Sequence, residues 1–268
     1  MQEFQMPYRE QNSNKGTFGK VLNVAGSGNY IGAAYLSSKS ALIAGCGLVT
    51  VASDKNVIDS VSKMLPEAVY ATRDYVLKNI NDYSILLIGC GLGKDNLSKK
   101  VFSKFIKQAK KFDIPAVIDA DGLNILSGLN INLPSKTIIT PHPAEAARLL
   151  NTSVEDVLSS VENSAKMLSE KYSCITVLKT HRTIVCENER LYVNQHGNSA
   201  LAKAGTGDVL AGIIAGLVAQ NMDLFEAAKL GTYLHSRAGE IASEKLSEYS
   251  VLASDVINYL PDAIKELV

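Results

Sequence analysis

One short motif combines the residue types that bind an anion with one that accepts a proton: Gly205-Thr206-Gly207-Asp208. An apolar stretch of helix length, residues 209–219, follows it directly. Glycines allow neighbouring backbone N–H groups to turn toward one point, and the start of a helix adds roughly half a positive charge there. A transferring phosphoryl group fits such a cradle, and the carboxylate of Asp208 can take a proton from an attacking hydroxyl. Alternatively, Asp208 only caps the helix, although a cap alone does not require the polar run 198–204 before the motif.

Two further glycine-rich segments, residues 26–28 and 89–93, each follow a predicted strand. The first has the spacing G-x-G-x-x-x-G, with Gly32 as its third glycine, and the second is too short for the G-x-G-x-x-G fingerprint of a Rossmann loop. Tight strand-to-helix turns and ligand loops of another type both stay open as interpretations. The two Gly-Lys pairs are followed by Val21 and Asp95 instead of Ser or Thr, which excludes a P-loop enzyme.

The histidines and cysteines provide one candidate contact and no metal-binding pattern. His142 lies between Pro141 and Pro143, which restrict the backbone on both sides, so we predict that it contacts a phosphate or amide of a substrate. The alternative is a histidine that satisfies loop carbonyls. The other three histidines have no ligand spacing, and no Cys-x-x-Cys pair occurs. We therefore predict no metal ligands, and buried, reduced cysteines at positions 46, 90, 174 and 186.

Apolar runs of strand length alternate with amphipathic segments of helix length along most of the chain. Near-continuous apolar runs are typical of parallel strands that are buried on both faces, and the alternation predicts an α/β sheet with helices on both sides. The predicted strands are residues 21–25, 48–52, 84–88, 116–119, 137–140 and 175–179. The predicted helices are residues 32–44, 55–65, 97–112, 122–126 and 154–172, the last with a capping box from Thr152 to Glu155.

After residue 179 the pattern changes to two short strands, residues 183–186 and 191–193, which predict an antiparallel hairpin. The chain then passes through the glycine motif and is mainly helical to its end. Ligands of open α/β sheets bind at the carboxyl ends of the strands, where most of the polar and glycine-rich segments of this chain lie. The sequence therefore predicts a site along that edge of the sheet.

Composition excludes several classes of protein. The 268 residues contain 27 Lys and Arg and 27 Asp and Glu, and this balance argues against a dedicated nucleic-acid binder. The longest apolar run, residues 209–219, is too short for a membrane span, which needs about 20 residues. The first 15 residues lack a signal-peptide core, and no linker divides the chain. We expect a cytoplasmic protein with one domain, residues 1–268, and no nucleic-acid or membrane partner.

Several motifs together resemble those of the NAD(P)H-hydrate dehydratases, which are relatives of carbohydrate kinases. The segment 198–212 and Thr140-Pro141-His142-Pro143 are the most specific parts of the resemblance. The other segments that carry it are residues 15–19, 32–34, 119–124 and 177–179, in family order and within about residues 8–264. The resemblance implies a three-layer ribokinase-like α/β fold, with a mostly parallel central sheet flanked by helices and a C-terminal β-hairpin before the anion-hole helix.

The resemblance implies an enzyme that repairs reduced nicotinamide cofactors whose ring has taken up water. Such a lyase dehydrates the S epimer of NAD(P)H hydrate while ADP is converted to AMP and phosphate, and eukaryotic members use ATP. A homo-oligomer, in particular a tetramer, and the absence of an N-terminal epimerase domain are further expectations. The alternatives are a small-molecule kinase of the hydroxyethylthiazole- or pyridoxal-kinase type and a nucleotide-sensing binding protein. General principles of phosphoryl transfer add Mg²⁺ on the phosphates, with Asp119 and Asp121 as outer-sphere contacts or as parts of a structural turn.

The resemblance also implies a role for individual positions. Asp208 would be the catalytic base, and the N–H groups of Gly205, Thr206 and Gly207 would hold the phosphoryl oxygens. The residues that would line the hydrate site are Ala33, Gly91, His142 and Asp208. The residues that would contact the adenine nucleotide are Lys179, Thr180, His181, Arg182, Thr183 and Gly207.

Three positions depart from the family pattern. Cys90 stands where the family usually has proline, and Ala144 and Thr180 stand where it usually has glycine. A lost glycine matters only where the backbone has a positive φ. We therefore expect these changes to affect the backbone around the nucleotide more than the reaction.

Overall fold

The computed structural model describes residues 4–268, and a nine-stranded sheet with the order β3-β2-β1-β4-β5-β6-β7-β8-β9 forms its centre. The strands from β3 to β7 in that order are parallel to their neighbours, whereas β8 and β9 are antiparallel. The strands are β1 Lys20–Val24, β2 Leu48–Ser53, β3 Val69–Thr72, β4 Ile85–Ile88, β5 Ala116–Ile118, β6 Thr137–Ile139, β7 Ile175–Leu178, β8 Ile184–Glu187 and β9 Arg190–Val193.

Helices connect most of the strands and follow the last one. In chain order they are α1 Ile31–Ile43, α2 Lys55–Val61, α3 Arg73–Lys78, α4 Asn96–Lys111, α5 Asp121–Leu126, α6 Pro143–Leu150, α7 Val154–Ser159, α8 Val161–Tyr172, α9 Thr206–Ala219, α10 Leu224–Leu246 and α11 Ala253–Lys265. Within residues 4–268, no helix combines the length and the hydropathy that a bilayer crossing requires.

The sheet has a topological switch point between β1 and β4. Strand β1 pairs with β2 on one side and with β4 on the other. From β1 the chain adds β2 and β3 on one side and then returns to add β4 on the other side, so the direction of the strand order reverses at β1. The loops that follow β1 and β4 therefore border a crevice at the carboxyl edge, which is where open α/β sheets bind ligands. A hydrogen bond of 2.9 Å from the Gly26 N–H to the Cys90 carbonyl joins the two loops.

Two apolar cores lie on opposite faces of the sheet. The core on one face contains the buried side chains of α1, α2, α9, α10 and α11. The core on the other contains those of α3 to α8, including Phe102 and Phe105 of α4. All four residues of β4 are buried, as expected for a parallel strand covered on both faces. The result is a three-layer arrangement with the sheet in the middle.

Helix α9 is buried along almost its whole length, since twelve of its residues are buried. Its two interior glycines face α1 at very close range: a Cβ added to Gly212 would overlap Ser40 and the Ser37 carbonyl, and one added to Gly216 would lie 2.5 Å from the Ala41 carbonyl oxygen. Only glycine allows the two helix backbones to approach this closely. The packing therefore fixes the position of the α9 N-terminus relative to the sheet.

The sequence analysis predicted the fold class and most elements correctly. The six predicted parallel strands, the antiparallel hairpin and the helical C-terminal part are all present. It missed strand β3, which is only four residues long, lies at the sheet edge and is exposed or half-buried throughout, so it does not stand out as a buried strand. It also missed the short helices α3 and α6, the second of which starts at Pro143, because proline is well tolerated at the first position of a helix.

The predicted helix 154–172 is wrong in one respect, because the structure divides it into α7 and α8. Ser160 lies between them with φ −149° and ψ 74°, outside the helical region. The predicted capping box is also displaced by one residue: Ser153 is the N-cap and exchanges hydrogen bonds with Asp156, not Thr152 with Glu155. Thr152 donates its hydroxyl to the same Asp156 carboxylate at 2.7 Å.

Candidate active site

Three polar residues follow three adjacent parallel strands and meet at the carboxyl edge of the sheet. Asp119 follows β5, Thr140 follows β6 and Lys179 follows β7. The Lys179 Nζ and the Thr140 hydroxyl each donate to Asp119 Oδ1 at 2.7 Å. Burial lowers the pKa of Lys179, but attraction to Asp119 and Glu145 outweighs it, and the pKa lies above its usual value. Asp119 is therefore a buried carboxylate whose charge is balanced by a lysine.

Asp208 is the second carboxylate of the site and lies in the first turn of α9. Gly205 occupies the N-cap with φ 89°, so the interpretation of Asp208 as the N-cap is wrong. No salt bridge to Asp208 occurs among residues 4–268. Burial raises the pKa of Asp208 to about 6, repulsion from Asp119 adds to this increase, and a hydrogen bond from Cys90 and attraction to Lys179 oppose it. A half-buried carboxylate with a pKa near neutrality has the properties of a general base.

The backbone before Asp208 leaves N–H groups free at the start of α9, and their binding of an anion stays a prediction. The first N–H groups of an α-helix have no partner within the helix, so those of Gly207 and Asp208 are available to an anion. The Thr206 N–H instead points at the Lys203 carbonyl, 3.4 Å away, and the Thr206 hydroxyl donates to Leu201 and Lys203 carbonyls. A Cβ added to Gly207 would lie 3.2 Å from Lys179 Nζ, so this glycine keeps open the space between the helix and the lysine.

Cys90 completes the group around the two carboxylates. Its thiol is fully buried, and its Sγ lies 4.0 Å from Asp119 Oδ2. The Cys90 Sγ and one oxygen from each of Asp119 and Asp208 all lie within 4.8 Å of one another. Mg²⁺ prefers oxygen ligands in octahedral geometry, and a thiol beside a lysine-paired carboxylate does not supply them. These residues thus do not fit a resident Mg²⁺ site.

Asp121 has a structural role next to this group. Its carboxylate accepts a hydrogen bond of 2.9 Å from the Gly93 N–H and so joins the start of α5 to the loop after β4. This bond favours the structural turn over the outer-sphere metal contact. Ala120, between the two aspartates, has φ 50° and ψ −117°, an uncommon conformation for a residue with a Cβ. That turn separates Asp119, in the site, from Asp121 on α5.

The predicted hydrate residues Ala33 and Gly91 contact each other at the switch point. Gly91 has φ 59°, and an added Cβ would lie 2.6 Å from Tyr30 Cβ and 2.8 Å from Ala33 Cβ. A small depression of about 320 Å³ opens beside them between the loops 27–30 and 92–95. This flank of the site is built from tight backbone contacts with almost no free space.

His142 lies on the opposite flank and caps a helix. Its Nδ1 accepts the Ala144 N–H at 3.1 Å, its Nε2 lies 3.4 Å from Glu145 Oε1, and its own N–H donates to Glu145 Oε2 at 2.9 Å. The ring thus accepts one N–H of α6, that of Ala144, and within residues 4–268 it does not donate to the loop carbonyls of the alternative interpretation. Burial and the nearby Lys179 and Arg148 lower the pKa of His142 from its usual value. The side chain is 47% exposed and borders the larger cleft.

The larger cleft has a volume of about 670 Å³ and contains most of the predicted nucleotide residues. It lies between the loop after β7, the loop before α9 and the helix α10. Among its lining residues are Lys179, Thr180, His181, Thr183 and Gly207. Arg182 is the exception: it is not part of the lining, and its guanidinium donates to the Gln195 carbonyl.

Comparisons with known proteins agree with this arrangement. A family profile described as NAD(P)H-hydrate dehydratase matches residues 21–262. The chain belongs to the NAD(P)H-hydrate dehydratase family. It is 38% identical over 243 residues to the ADP-dependent (S)-NAD(P)H-hydrate dehydratase of Neisseria meningitidis, with 88% of this chain and 81% of that protein covered. The crystal structure of the ADP/ATP-dependent NAD(P)H-hydrate dehydratase of Bacillus subtilis, co-crystallised with ATP/Mg²⁺, has a TM-score of 0.88 and 29% identity, covering 98% of this chain and 95% of that one.

Longer relatives also match. The bifunctional NAD(P)H-hydrate repair enzyme of Coxiella burnetii is 36% identical over 262 residues, which are 95% of this chain and 52% of that protein. The chain therefore spans about half the length of the bifunctional relatives it matches. The structural similarity confirms the ribokinase-like fold that the family resemblance implied.

The three departures from the family pattern cause no backbone strain. Neither Ala144 nor Thr180 is among the residues with a positive φ, so the side chains that replace the usual glycines are accommodated. Ala144 lies in the first turn of α6, where its N–H is capped by His142. Cys90 also has no positive φ, and it differs from the usual proline of the NAD(P)H-hydrate dehydratases by bringing a thiol to the carboxylates.

Several residues of the site were not found from the sequence. Thr140 and Glu145 were part of a recognised motif but had no assigned role, and Asp119 was only a candidate metal contact. Burial raises the pKa of Glu145 to about 7, and Lys179 opposes this increase. His235 of α10 lines the larger cleft, its Nε2 has no hydrogen-bond partner among residues 4–268, and burial lowers its pKa to about 4. The sequence contained a signal for Asp119 and Thr140, because each is a polar residue directly after an apolar strand. Nothing in the local sequence distinguishes His235.

Proposed function

We propose that the chain dehydrates the S epimer of NAD(P)H hydrate to NAD(P)H and that the reaction converts ADP to AMP and phosphate. The observation that carries this proposal is the position of Asp208. It is a half-buried carboxylate without a salt bridge among residues 4–268, it lies in the first turn of α9 directly after two residues that line the large cleft, and one of its oxygens lies within 4.8 Å of an Asp119 oxygen. A proton acceptor at the start of a helix suits the transfer of a phosphoryl group to a hydroxyl. Family membership supports the hydroxyl of a hydrated nicotinamide ring as the acceptor.

The chemistry requires phosphorylation because hydroxide is a poor leaving group. Transfer of the terminal phosphoryl group of ADP to the ring hydroxyl forms a phosphate ester and releases AMP. The lone pair of the ring nitrogen then expels phosphate, and loss of a proton from the adjacent ring carbon restores the double bond. Each turnover thus releases one AMP and one phosphate for each NAD(P)H formed.

Asp208 accepts the proton of the ring hydroxyl as the new P–O bond forms. Its raised pKa, about 6, matches that role, because a base is most effective when its pKa is close to the working pH. The N–H groups at the start of α9, with Gly205 and Gly207 as their flexible members, hold the equatorial phosphoryl oxygens. Lys179 provides a positive charge beside Gly207, where charge accumulates during transfer.

The two ligands occupy opposite flanks of Asp208 in this proposal. The hydrated ring lies at Ala33 and Gly91, and the adenine nucleotide occupies the larger cleft along residues 179–183 and Gly207. His142 borders that cleft, so it contacts the shared region between the ligands through the exposed half of its ring. Arg182 contacts the nucleotide only if its bond to Gln195 opens.

Three further parts of the proposal follow from the resemblance and from general chemistry. Mg²⁺ is bound to the phosphates of ADP and neutralises part of their charge. The enzyme works in the cytoplasm and forms a homo-oligomer. Light scattering coupled to size-exclusion chromatography measures the oligomer directly, and a monomer would contradict that part alone.

The test is the reaction itself. Purified protein is incubated with hydrated NADH or NADPH, Mg²⁺ and ADP, and the near-ultraviolet absorbance of the reduced nicotinamide is followed. We expect the absorbance to return, with AMP and phosphate in a one-to-one ratio to the restored cofactor. A stable phosphorylated product would establish a kinase instead, and no product would establish a nucleotide-binding protein. Much faster turnover with ATP would change the donor and leave the dehydration intact.

A further inference from the structure

The 194–198 loop connects β9 to the segment that leads into α9, and the proposed function assigns no role to it. Three of its residues, His196, Gly197 and Asn198, line the larger cleft. The loop contains neither helix nor strand, so contacts with neighbouring elements must fix its position. The shape of the cleft on this side therefore depends on what holds the loop.

One face of helix α10 holds the 194–198 loop. Ser236, Glu240 and Ser243 are spaced by four and three residues, which places them on the same side of the helix. Each of these three side chains accepts one hydrogen bond from the loop. The bonds run from the Asn194 amide to Ser236 at 2.9 Å, from the Gly197 N–H to Glu240 at 2.7 Å and from the Asn198 amide to Ser243 at 2.8 Å. The loop is thus attached to α10 along two turns.

Glu240 is the charged acceptor of the three, and hydrogen bonds to a carboxylate are stronger than those to a hydroxyl. Its Oε1 accepts the Gly197 N–H, and its Oε2 lies 3.2 Å from Arg237 Nη1 and 3.4 Å from His196 Nδ1. Arg237 in turn donates two hydrogen bonds of 2.8 Å to Glu266, which follows α11. Glu240 therefore joins the loop to a network that connects α10 with the end of α11.

We propose that Glu240 is a positioning residue for the adenine nucleotide, and that it holds the 194–198 loop in place as a wall of the larger cleft before the nucleotide binds. The identity of the ligand rests on the proposed function. Glu240 is not among the described residues that line the cleft, so it acts through the Gly197 N–H. A wall that is already ordered lowers the entropy cost of binding, which increases the affinity for the nucleotide.

The main experiment measures ADP binding by calorimetry and steady-state kinetics in wild type, Glu240→Ala and Glu240→Gln. In Glu240→Ala the Kd and the KM for ADP should rise by about 10-fold, because the loop must be ordered on binding. Its kcat and its KM for the hydrate should change by less than about twofold, because the base and the opposite flank are unchanged. Glu240→Gln keeps an oxygen that accepts the Gly197 N–H, so its KM for ADP should stay within about threefold of wild type.

Glu244→Ala is the matched control. Glu244 belongs to the same helix, lies 3.7 Å from the same Arg237 guanidinium and is 64% exposed. Its substitution removes the same charge from α10 without removing the bond to Gly197. The affinity for ADP should therefore stay as in wild type. An increase in the KM for ADP as large as that of Glu240→Ala would overturn the proposal, because it would trace the effect to charge and not to the loop.

A second measurement needs neither nucleotide nor turnover. The exchange rate of the Gly197 amide hydrogen, followed by NMR in the free protein, reports whether its bond to Glu240 is formed. We expect slow exchange in wild type, Glu240→Gln and Glu244→Ala, and exchange about 10-fold faster in Glu240→Ala. An unprotected Gly197 amide in wild type would overturn the proposal whether or not any variant folds.

The outcomes separate this proposal from the proposed function. A dehydratase whose KM for ADP is the same in Glu240→Ala and in wild type would overturn the role of Glu240 alone. A wild type that binds ADP without restoring the absorbance of reduced nicotinamide would overturn the dehydration, and calorimetry would still decide the role of Glu240. A protein that binds no adenine nucleotide would overturn both.

Discussion

The two flanks of the candidate site are built in different ways. On the flank of Ala33 and Gly91, the loops after β1 and β4 meet in tight backbone contacts, and the depression beside them holds only about 320 Å³. On the other flank, the loops after β7 and before α9 border an open cleft of about 670 Å³, lined by side chains that project from loops and α10. The first flank lies where the parallel strands β1 and β4 end, and the second lies where the parallel strand β7 ends and the antiparallel hairpin β8–β9 begins.

This difference predicts different responses to substitution. Where a flank is formed by backbone at contact distance, one added methyl group must displace a neighbour, and the ligand that binds there is affected. Where a flank is an open cleft, a single side chain provides one contact among many, so its loss is tolerated. Asp208, in the first turn of α9, belongs to neither lining, and as the proposed base it should affect turnover and not the binding of one ligand alone.

Asp208→Asn should have the largest effect. The amide has nearly the same shape and cannot accept a proton at neutral pH, so turnover should fall by about 10²-fold or more while both ligands still bind. Steady-state kinetics and nucleotide binding by calorimetry measure the two quantities. Activity within a few-fold of wild type would contradict the assignment of Asp208 as the base.

The same variant should be more stable than wild type at neutral pH. Because the pKa of Asp208 is about 6 in the folded protein and 3.8 is its usual value, the ionised carboxylate lowers stability, fully above pH 6 and not below about 4. Asp208→Asn removes this cost, so its melting temperature should exceed that of wild type at pH 7.5 and equal it near pH 4. Equal melting temperatures at both pH values would show that the charge is not destabilising.

Gly91→Ala tests the tight flank. A Cβ there would lie 2.6 Å from Tyr30 Cβ, and the residue has φ 59°, so the loop must move. We expect kcat/KM for the hydrate to fall by more than about 10-fold, with a smaller change in the KM for ADP. Gly128→Ala is the control, because it lies outside the segments assigned to the site and a Cβ there has one ordinary contact, with the Ile125 carbonyl oxygen at 3.8 Å. An equal loss of kcat/KM for the hydrate and for ADP would mean that the two substrates do not bind on separate flanks.

The pH dependence of activity tests whether Asp208 is the base. The base must be ionised, so activity should fall as the pH drops through about 6, to about one tenth of its maximum near pH 5. A free aspartate would give this limb near pH 4 instead. Glu145→Gln is the control, since burial raises the pKa of Glu145 to about 7 and its removal should leave the limb in place if Asp208 causes it.

Gly207→Ala tests the point where the two flanks meet. Its φ is not positive, so the methyl group causes crowding against Lys179 at 3.2 Å and not backbone strain. We expect turnover to fall several-fold, up to about 10-fold, with a weaker loss of melting temperature. A variant that loses stability but keeps its rate per folded molecule would make Gly207 a helix-start glycine only. Gly128→Ala, with ordinary contacts at 3.8 Å, should change neither quantity.

Arg182→Ala should have the smallest effect of the series. Its side chain is exposed, bonds the Gln195 carbonyl and does not line the cleft, so the KM for ADP should change by less than about threefold. A much larger increase in that KM would show that Arg182 turns toward the nucleotide on binding. The cleft would then be narrower in the complex than in the free protein.

The sequence was sufficient for the parts of this molecule that depend on local pattern. Buried strands such as β4 are apolar at every position, and glycines at 205 and 207 indicated the cradle before α9. The contact of Asp119 with Lys179 was not predictable in the same way, because it depends on the order β5-β6-β7 that brings distant residues together. The cap formed by His142 was missed because its partner N–H belongs to a helix that starts at a proline.

The close contact of α9 with α1 limits how this sequence can change over time. Any side chain at Gly212 or Gly216 would push α9 and α1 apart, and α9 carries Asp208 in its first turn. A mutation at either position therefore damages activity from a distance of two or three helical turns, and a second mutation in α1 at Ser37, Ser40 or Ala41 would have to accompany it. Neutral drift in this part of the chain must proceed by paired changes, whereas the exposed outer face of α4 can vary one residue at a time.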